Sequence, residues 1–219
     1  MNTVNVLEAA RLPKPTLRGW LHAVVFFVSI PAGITLMAHS RSGSAHIAAT
    51  IFAVSLTGLY GVSAAYHRGS WSGRAHSLMR NIDHAMIYVL IAGSYTPITI
   101  VTLRSAWSVT VLSLVWTGAM VGVTVTLLRH DQLRKLGVSL YVVLGWIVVI
   151  ALPQMVQNLT GTQMILLASG GALYTVGAAM FGLHWPDPNP RVFGYHEMWH
   201  TMVVGAGACH YALVLSLVR

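Results

Sequence analysis

His196 and His200 stand four residues apart. A helix turns once in about 3.6 residues, so both imidazoles share one face and reach a single metal ion. Ser63 and His67 have the same spacing, and Asp83 follows a short distance along the chain. The one cysteine, Cys209, forms no internal disulfide and leaves metal binding to the eleven histidines. A third imidazole from another helix would complete a zinc site of three protein ligands, with the fourth position open to water or substrate. His67 is the natural candidate beside His196 and His200. Asp83 would hydrogen-bond the bound water or orient a histidine, and Ser63 would contact the same water or a reacting carbonyl.

Other polar residues carry weaker signals. His196-Glu197-x-x-His200 fits the H-E-x-x-H pattern in which the glutamate is a general base. Yet Glu197 lies about 100° around the helix from His196 and also reads as a solvated first-turn carboxylate favoured by the helix dipole. His210 is about 15 Å along the helix from His200, too far to bind the same ion, and suits a hydrogen bond or a proton path. His84 points elsewhere on its turn, His76 and His130 fall in basic loops, and His22, His39, His46 and His184 have no evident partner. Pro97, in Gly93-Ser-Tyr-Thr-Pro97, predicts a kink or freed carbonyls for Ser94 or Thr96 to satisfy. Gly205 and Gly207 read as close helix contacts.

The elements that position these groups follow from composition. The chain has 219 residues, 55% apolar and 8% charged, so its solvent is mostly lipid. A hydrocarbon core of roughly 30 Å takes about 20 helical residues to cross. Seven apolar runs meet that length: Leu21 to Met37, His46 to Tyr66, Ile82 to Leu103, Ala106 to Leu128, Leu136 to Leu152, Met164 to Leu183 and Met198 to Val218. The expected fold is an all-α integral membrane bundle of seven transmembrane helices. Residues 1–18 form a cytoplasmic amino-terminal segment and residues 19–219 a single domain. With the amino terminus inside, the inner segments hold Arg11, Lys14, Arg18, Arg68, Arg74, Arg80, Arg129, Arg134, Lys135 and Arg191, against Arg41, Arg104 and Arg219 outside. This positive-inside bias accounts for the net charge of +8, makes a nucleic-acid partner unnecessary, and puts the carboxyl terminus outside. Ser63, His67, Asp83, His196 and His200 then fall at similar depth near the cytoplasmic face. The expected location is the cell's inner (plasma) membrane.

Ser63-Ala-Ala-Tyr-His67, Asp83-His84 with Ile87-Tyr88, Ile91-Ala-Gly-Ser-Tyr-Thr-Pro97, and His196-x-x-x-His200 followed by Cys209-His210-Tyr211 resemble the hemolysin III-like bacterial proteins of the progestin and adiponectin receptor superfamily. The resemblance covers nearly the whole chain. It implies a seven-helix fold with zinc on residues matching His67, His196 and His200, accompanied by Asp83 and Ser63. It also implies kinship with ceramidase-like membrane hydrolases, and so a zinc-dependent hydrolase of lipid amides or esters with a role in membrane lipid homeostasis. The alternatives are a non-enzymatic, zinc-containing sensor or regulator of membrane fluidity and, from the family name, a cytolysin. Membrane lipids are the expected partners. The sequence departs from the family pattern at Lys14-Pro-Thr-Leu-Arg18, where relatives carry an acidic residue and an asparagine before the histidine matching His22, and at Glu197, where many relatives differ.

Overall fold

The structure, a computed structural model, describes residues 14–40, 43–128 and 134–219, with side chains from 140 onward in the last stretch. Arg11, Arg41, Arg129 and His130 lie outside the described residues, as do the side chains of Arg134 and Lys135. Eight helices are described: α1 (Trp20–His39), α2 (Ser44–Arg68), α3 (Gly73–Thr102), α4 (Ser105–Leu127), α5 (Arg134–Trp146), α6 (Val148–Asn158), α7 (Gly161–Leu183) and α8 (Tyr195–Val218). With α5 and α6 sharing the fifth, seven spans are long and apolar enough to cross a membrane. The bundle is inside-out relative to a water-soluble one: large apolar side chains such as Phe27 and Ile165 are about two-thirds exposed, while Ser63, Thr99 and His200 are buried.

Most spans begin and end near the expected positions, and two differ for physical reasons. The third starts at Gly73, nine residues before the apolar run at Ile82, because the polar stretch holding Arg74 and Arg80 is also helical. A search for apolar length does not see such turns, and Asp83 consequently sits about 15 Å into the helix rather than at its start. The fifth, which starts at Arg134, runs on to Asn158 rather than ending at Leu152, and is broken at Ile147. Tyr95 of α3 satisfies the break: its hydroxyl accepts from the Val148 N–H at 2.8 Å and donates to the Gly145 carbonyl at 2.8 Å. A broken helix persists at membrane depth only where neighbouring groups take over its lost backbone bonds.

Pro97 lies within a continuous α3. Thr96 bonds the Ala92 carbonyl and Ser94 the Ile91 carbonyl, so neither hydroxyl serves the Gly93 carbonyl that the proline leaves without its N–H. At the far end of the chain Thr160 caps α7 reciprocally with Gln163, which starts that helix three residues before its apolar run.

The packing is uneven. Successive helices α1 to α4 pack in order, and α8 lies against α1, α2, α3 and α7. Gly207 makes one of these contacts possible, since a Cβ there would strike the Tyr60 hydroxyl on α2. On the other side α5 and α6 lean on α3 and α4, whereas α6 and α7, joined by a short turn, are not among the well-packed pairs.

Candidate metal centre

The end of α2 and the start of α8 meet at one level of the bundle. There the imidazoles of His67, His196 and His200 bring one nitrogen each to within 4.8 Å of the others. His196 Nε2 and His67 Nε2 are 3.2 Å apart. A tetrahedral zinc with bonds of about 2.0–2.1 Å holds its donors about 3.3 Å apart, so this spacing suits two ligands of one ion. The four-residue spacing of His196 and His200 sets their rings 4.6 Å apart by centroid, with His67 5.1 Å from His200. Three neutral imidazoles are also the donor set that divalent zinc favours. The residues therefore fit a metal ion.

The expected polar neighbours are present. Asp83 Oδ2 lies 3.9 Å from His67 Nε2, and Ser63, itself buried, lies beside the Asp83 carboxylate. His84 also approaches Asp83, at 3.9 Å, but its Nδ1 meets the Arg80 carbonyl of its own helix at 2.7 Å, which turns it away from the cluster.

Glu197 differs from the solvated first-turn carboxylate expected of it: it is only 3% exposed. One oxygen accepts the Gly194 N–H at 2.8 Å, closing the first turn of α8, and the other accepts Nε of Arg18. Both oxygens are thus engaged in the frame that joins α8 to the amino-terminal segment. The amino-terminal segment is drawn across by this pair, with backbone bonds from Thr16 to Arg191 and from Leu17 to Val192. It enters α1 through Gly19, which has a φ of 77° and would place a Cβ 2.6 Å from that of His67. Only glycine combines that backbone with that approach. Arg18 and Glu197, 179 positions apart, are therefore partners of each other.

Sequence reasoning missed His22. It is 2% exposed and stacks on His200 with ring centroids 3.9 Å apart and planes 10° apart, and its other face meets Tyr60 edge-on. Its nitrogens are not among the converging donors. The available signal was its place near the inner end of the first span, at the depth of Ser63 and His67. His39 and His46 bond locally, to the Thr35 carbonyl and to Ser40, at the opposite end of the bundle. His210 sits apart from the three clustered histidines, as its distance along α8 requires.

Between α3, α5, α6, α7 and α8 lies an apolar cavity of about 560 Å³. Helices α6 and α7 both line it and are not among the well-packed pairs. None of the three histidines lines it. It comes within one helical turn of Ser63 and Asp83: Leu59 and Ile87 on its wall are four residues from each, and Trp199 adjoins His200 in sequence.

An all-α bundle of seven membrane-length spans with an intramembrane triad of histidines defines a class of multi-pass membrane protein with a metal-competent site. Within that class the chain belongs to the haemolysin-III related family, whose model matches residues 10–211. It is 34% identical over 200 residues to Hemolysin-3 of Bacillus cereus, covering 90% of this chain and 88% of that one. It is 32% identical over 197 residues to a Hemolysin-3 homolog of Bacillus subtilis (strain 168), covering 89% of each. Similarity extends to the monocyte to macrophage differentiation factor of Homo sapiens, 26% identical over 199 residues, 88% of this chain and 79% of that protein. This agrees with the wider superfamily. No solved structure matches the chain.

Proposed function

We propose that this protein is a zinc-dependent hydrolase of the cell's inner (plasma) membrane, acting on a lipid amide or ester in membrane lipid homeostasis. The observation that carries the reading is the meeting of three imidazoles with a part-buried carboxylate and a hydroxyl at one depth in the bundle. His67, His196 and His200 hold the ion. Zinc bound there supplies Lewis acidity toward a carbonyl and an activated water. Asp83 accepts the proton of the attacking water, and Ser63 holds that carboxylate toward the site. The apolar cavity gives the acyl chain of a membrane lipid a place beside the site.

The described basic residues support an inward-facing site. Arg18, Arg68, Arg74, Arg80 and Arg191 gather at the end that holds the histidines, with Arg104 and Arg219 at the other, a bias that by the positive-inside rule favours a cytoplasmic amino terminus and metal site.

The test is an Asp83→Asn variant, purified in detergent and assayed for release of fatty acid from a ceramide. The variant is expected to keep its zinc and lose turnover; unchanged hydrolysis removes Asp83 from the chemistry. One observation favours the rival reading, a non-enzymatic regulator of membrane fluidity in which zinc ties α2 to α8: no metal-binding histidine lines the cavity. A closed four-ligand shell by X-ray absorption would favour it, whereas a retained water ligand favours the hydrolase. The cytolysin reading draws on the Bacillus relatives' name alone and gains nothing from a cavity with predominantly apolar walls.

A further inference from the structure

One short stretch of chain touches every element that carries a clustered histidine. Thr16 and Leu17 donate backbone hydrogen bonds to the Arg191 and Val192 carbonyls, just before α8. Arg18 Nε donates to Glu197, which stands between His196 and His200. Gly19 packs on the Cβ of His67 at the end of α2, and the guanidinium of the next residue, Arg68, lies 4.3 Å from the ring centroid of Trp20. His22 then stacks on His200. None of these contacts uses a nitrogen of the converging set, so the stretch closes on the site in the same way with or without an ion.

Its place decides what it can do. His196 is the second residue of α8, so the donor nitrogens lie within about one turn of that helix's aqueous end. His67 and His200 are buried, and none of the three histidines lines the apolar cavity, which leaves the end covered by residues 16–22 as the short way out. Only one bond of the stretch is between charged groups, and it is unevenly buried: the Arg18 side chain is 20% exposed, that of Glu197 4%. Without Arg18 a buried carboxylate would keep the Gly194 N–H alone, and a poorly paired buried charge favours any opening that brings it water. We propose that residues 16–22 form a clasp over the metal centre, latched by Arg18 and Glu197, that must open for an ion to enter or leave. The clasp rests on the metal-binding part of the reading above and needs no turnover.

The probe is zinc itself, exchanged with detergent-solubilised full-length protein and followed by stopped flow, as release into excess chromophoric chelator and as uptake by stripped protein against a zinc indicator. Arg18→Met removes the charge and every donor. It should quicken release and uptake alike, each by about tenfold, the worth of one hydrogen bond between charged groups, and so leave the equilibrium affinity unchanged. That unchanged affinity also shows the variant's site to be folded. Arg18→Lys restores the charge and should exchange at close to the wild-type rates. Wild-type rates in Arg18→Met overturn the latch, as do rates in Arg18→Lys that match those of Arg18→Met. Release that quickens alone, with affinity falling to match, overturns it too, because it marks ligands displaced rather than a gate opened. Each of those failures leaves the metal centre standing, whereas a native chain that takes up no zinc overturns the centre and the clasp together.

Discussion

One helix carries two buried histidine environments that differ in every respect but burial. At the start of α8, His196 and His200 meet His67, with Asp83 and Ser63 beside them and His22 stacked behind. Ten residues on, His210 lies beside an apolar chamber, with both ring nitrogens buried and without a hydrogen-bond partner. The same side chain supports different chemistry according to what converges on it. Several imidazoles whose nitrogens approach one point invite a cation, whereas an isolated imidazole beside an apolar chamber brings no second donor to one. Packing follows the same division: the metal-competent end lies where α8 is pressed between α1, α2 and α3, and the cavity lies where α6 and α7 are not among the well-packed pairs.

The sharpest way to break this comparison is to remove the cation site. Replacing His196 and His200 together by alanine should take metal content, read by mass spectrometry on detergent-purified protein, from one zinc per chain to none. No zinc in the native protein, after chelator-free preparation, would reduce the cluster to a polar network. Next in size, Asp83→Asn should lower lipid hydrolysis by about 10²–10⁴-fold, the usual contribution of a general base, with zinc retained. Glu197→Gln acts on the frame rather than the chemistry. It keeps an acceptor for Gly194 but loses the charge opposite Arg18, whose side chain is 20% exposed, so thermal unfolding should report a loss of about 1 kcal/mol. A fall in hydrolysis as large as that of Asp83→Asn would return Glu197 to the catalytic group. The smallest effect sharpens the contrast: His210→Leu should leave zinc stoichiometry unchanged, and a loss of metal there would show that the two environments are one.

The sequence carried the seven spans because apolar length is a property of consecutive residues, and it carried the histidine triad because helical spacing and shared depth follow from the spans. It did not reveal what depends on lateral neighbours. Arg18 and Glu197 are 179 positions apart and pair only because the first and last spans end side by side. His22 acquires its meaning from the ring stacked against it, and the break at Ile147 from a phenol on another helix. The cavity is a statement about which helices pack loosely, and no periodicity encodes that. The early start of α3 is different: it was hidden because charged turns beyond the hydrocarbon lack the apolar signature, although they continue the helix that aims Asp83.

The placement of the metal-competent residues also fixes an order of events during synthesis. His67 is in the second span and both remaining imidazoles are in the last, with His196 129 positions later. A nascent chain threaded through six spans therefore holds one ligand of three and can retain no ion tightly. The same final helix brings Glu197 to Arg18. Any ion held by all three imidazoles must therefore bind after the seventh span is in place, and a truncation before α8, however well its remaining helices enter the bilayer, keeps one of the three.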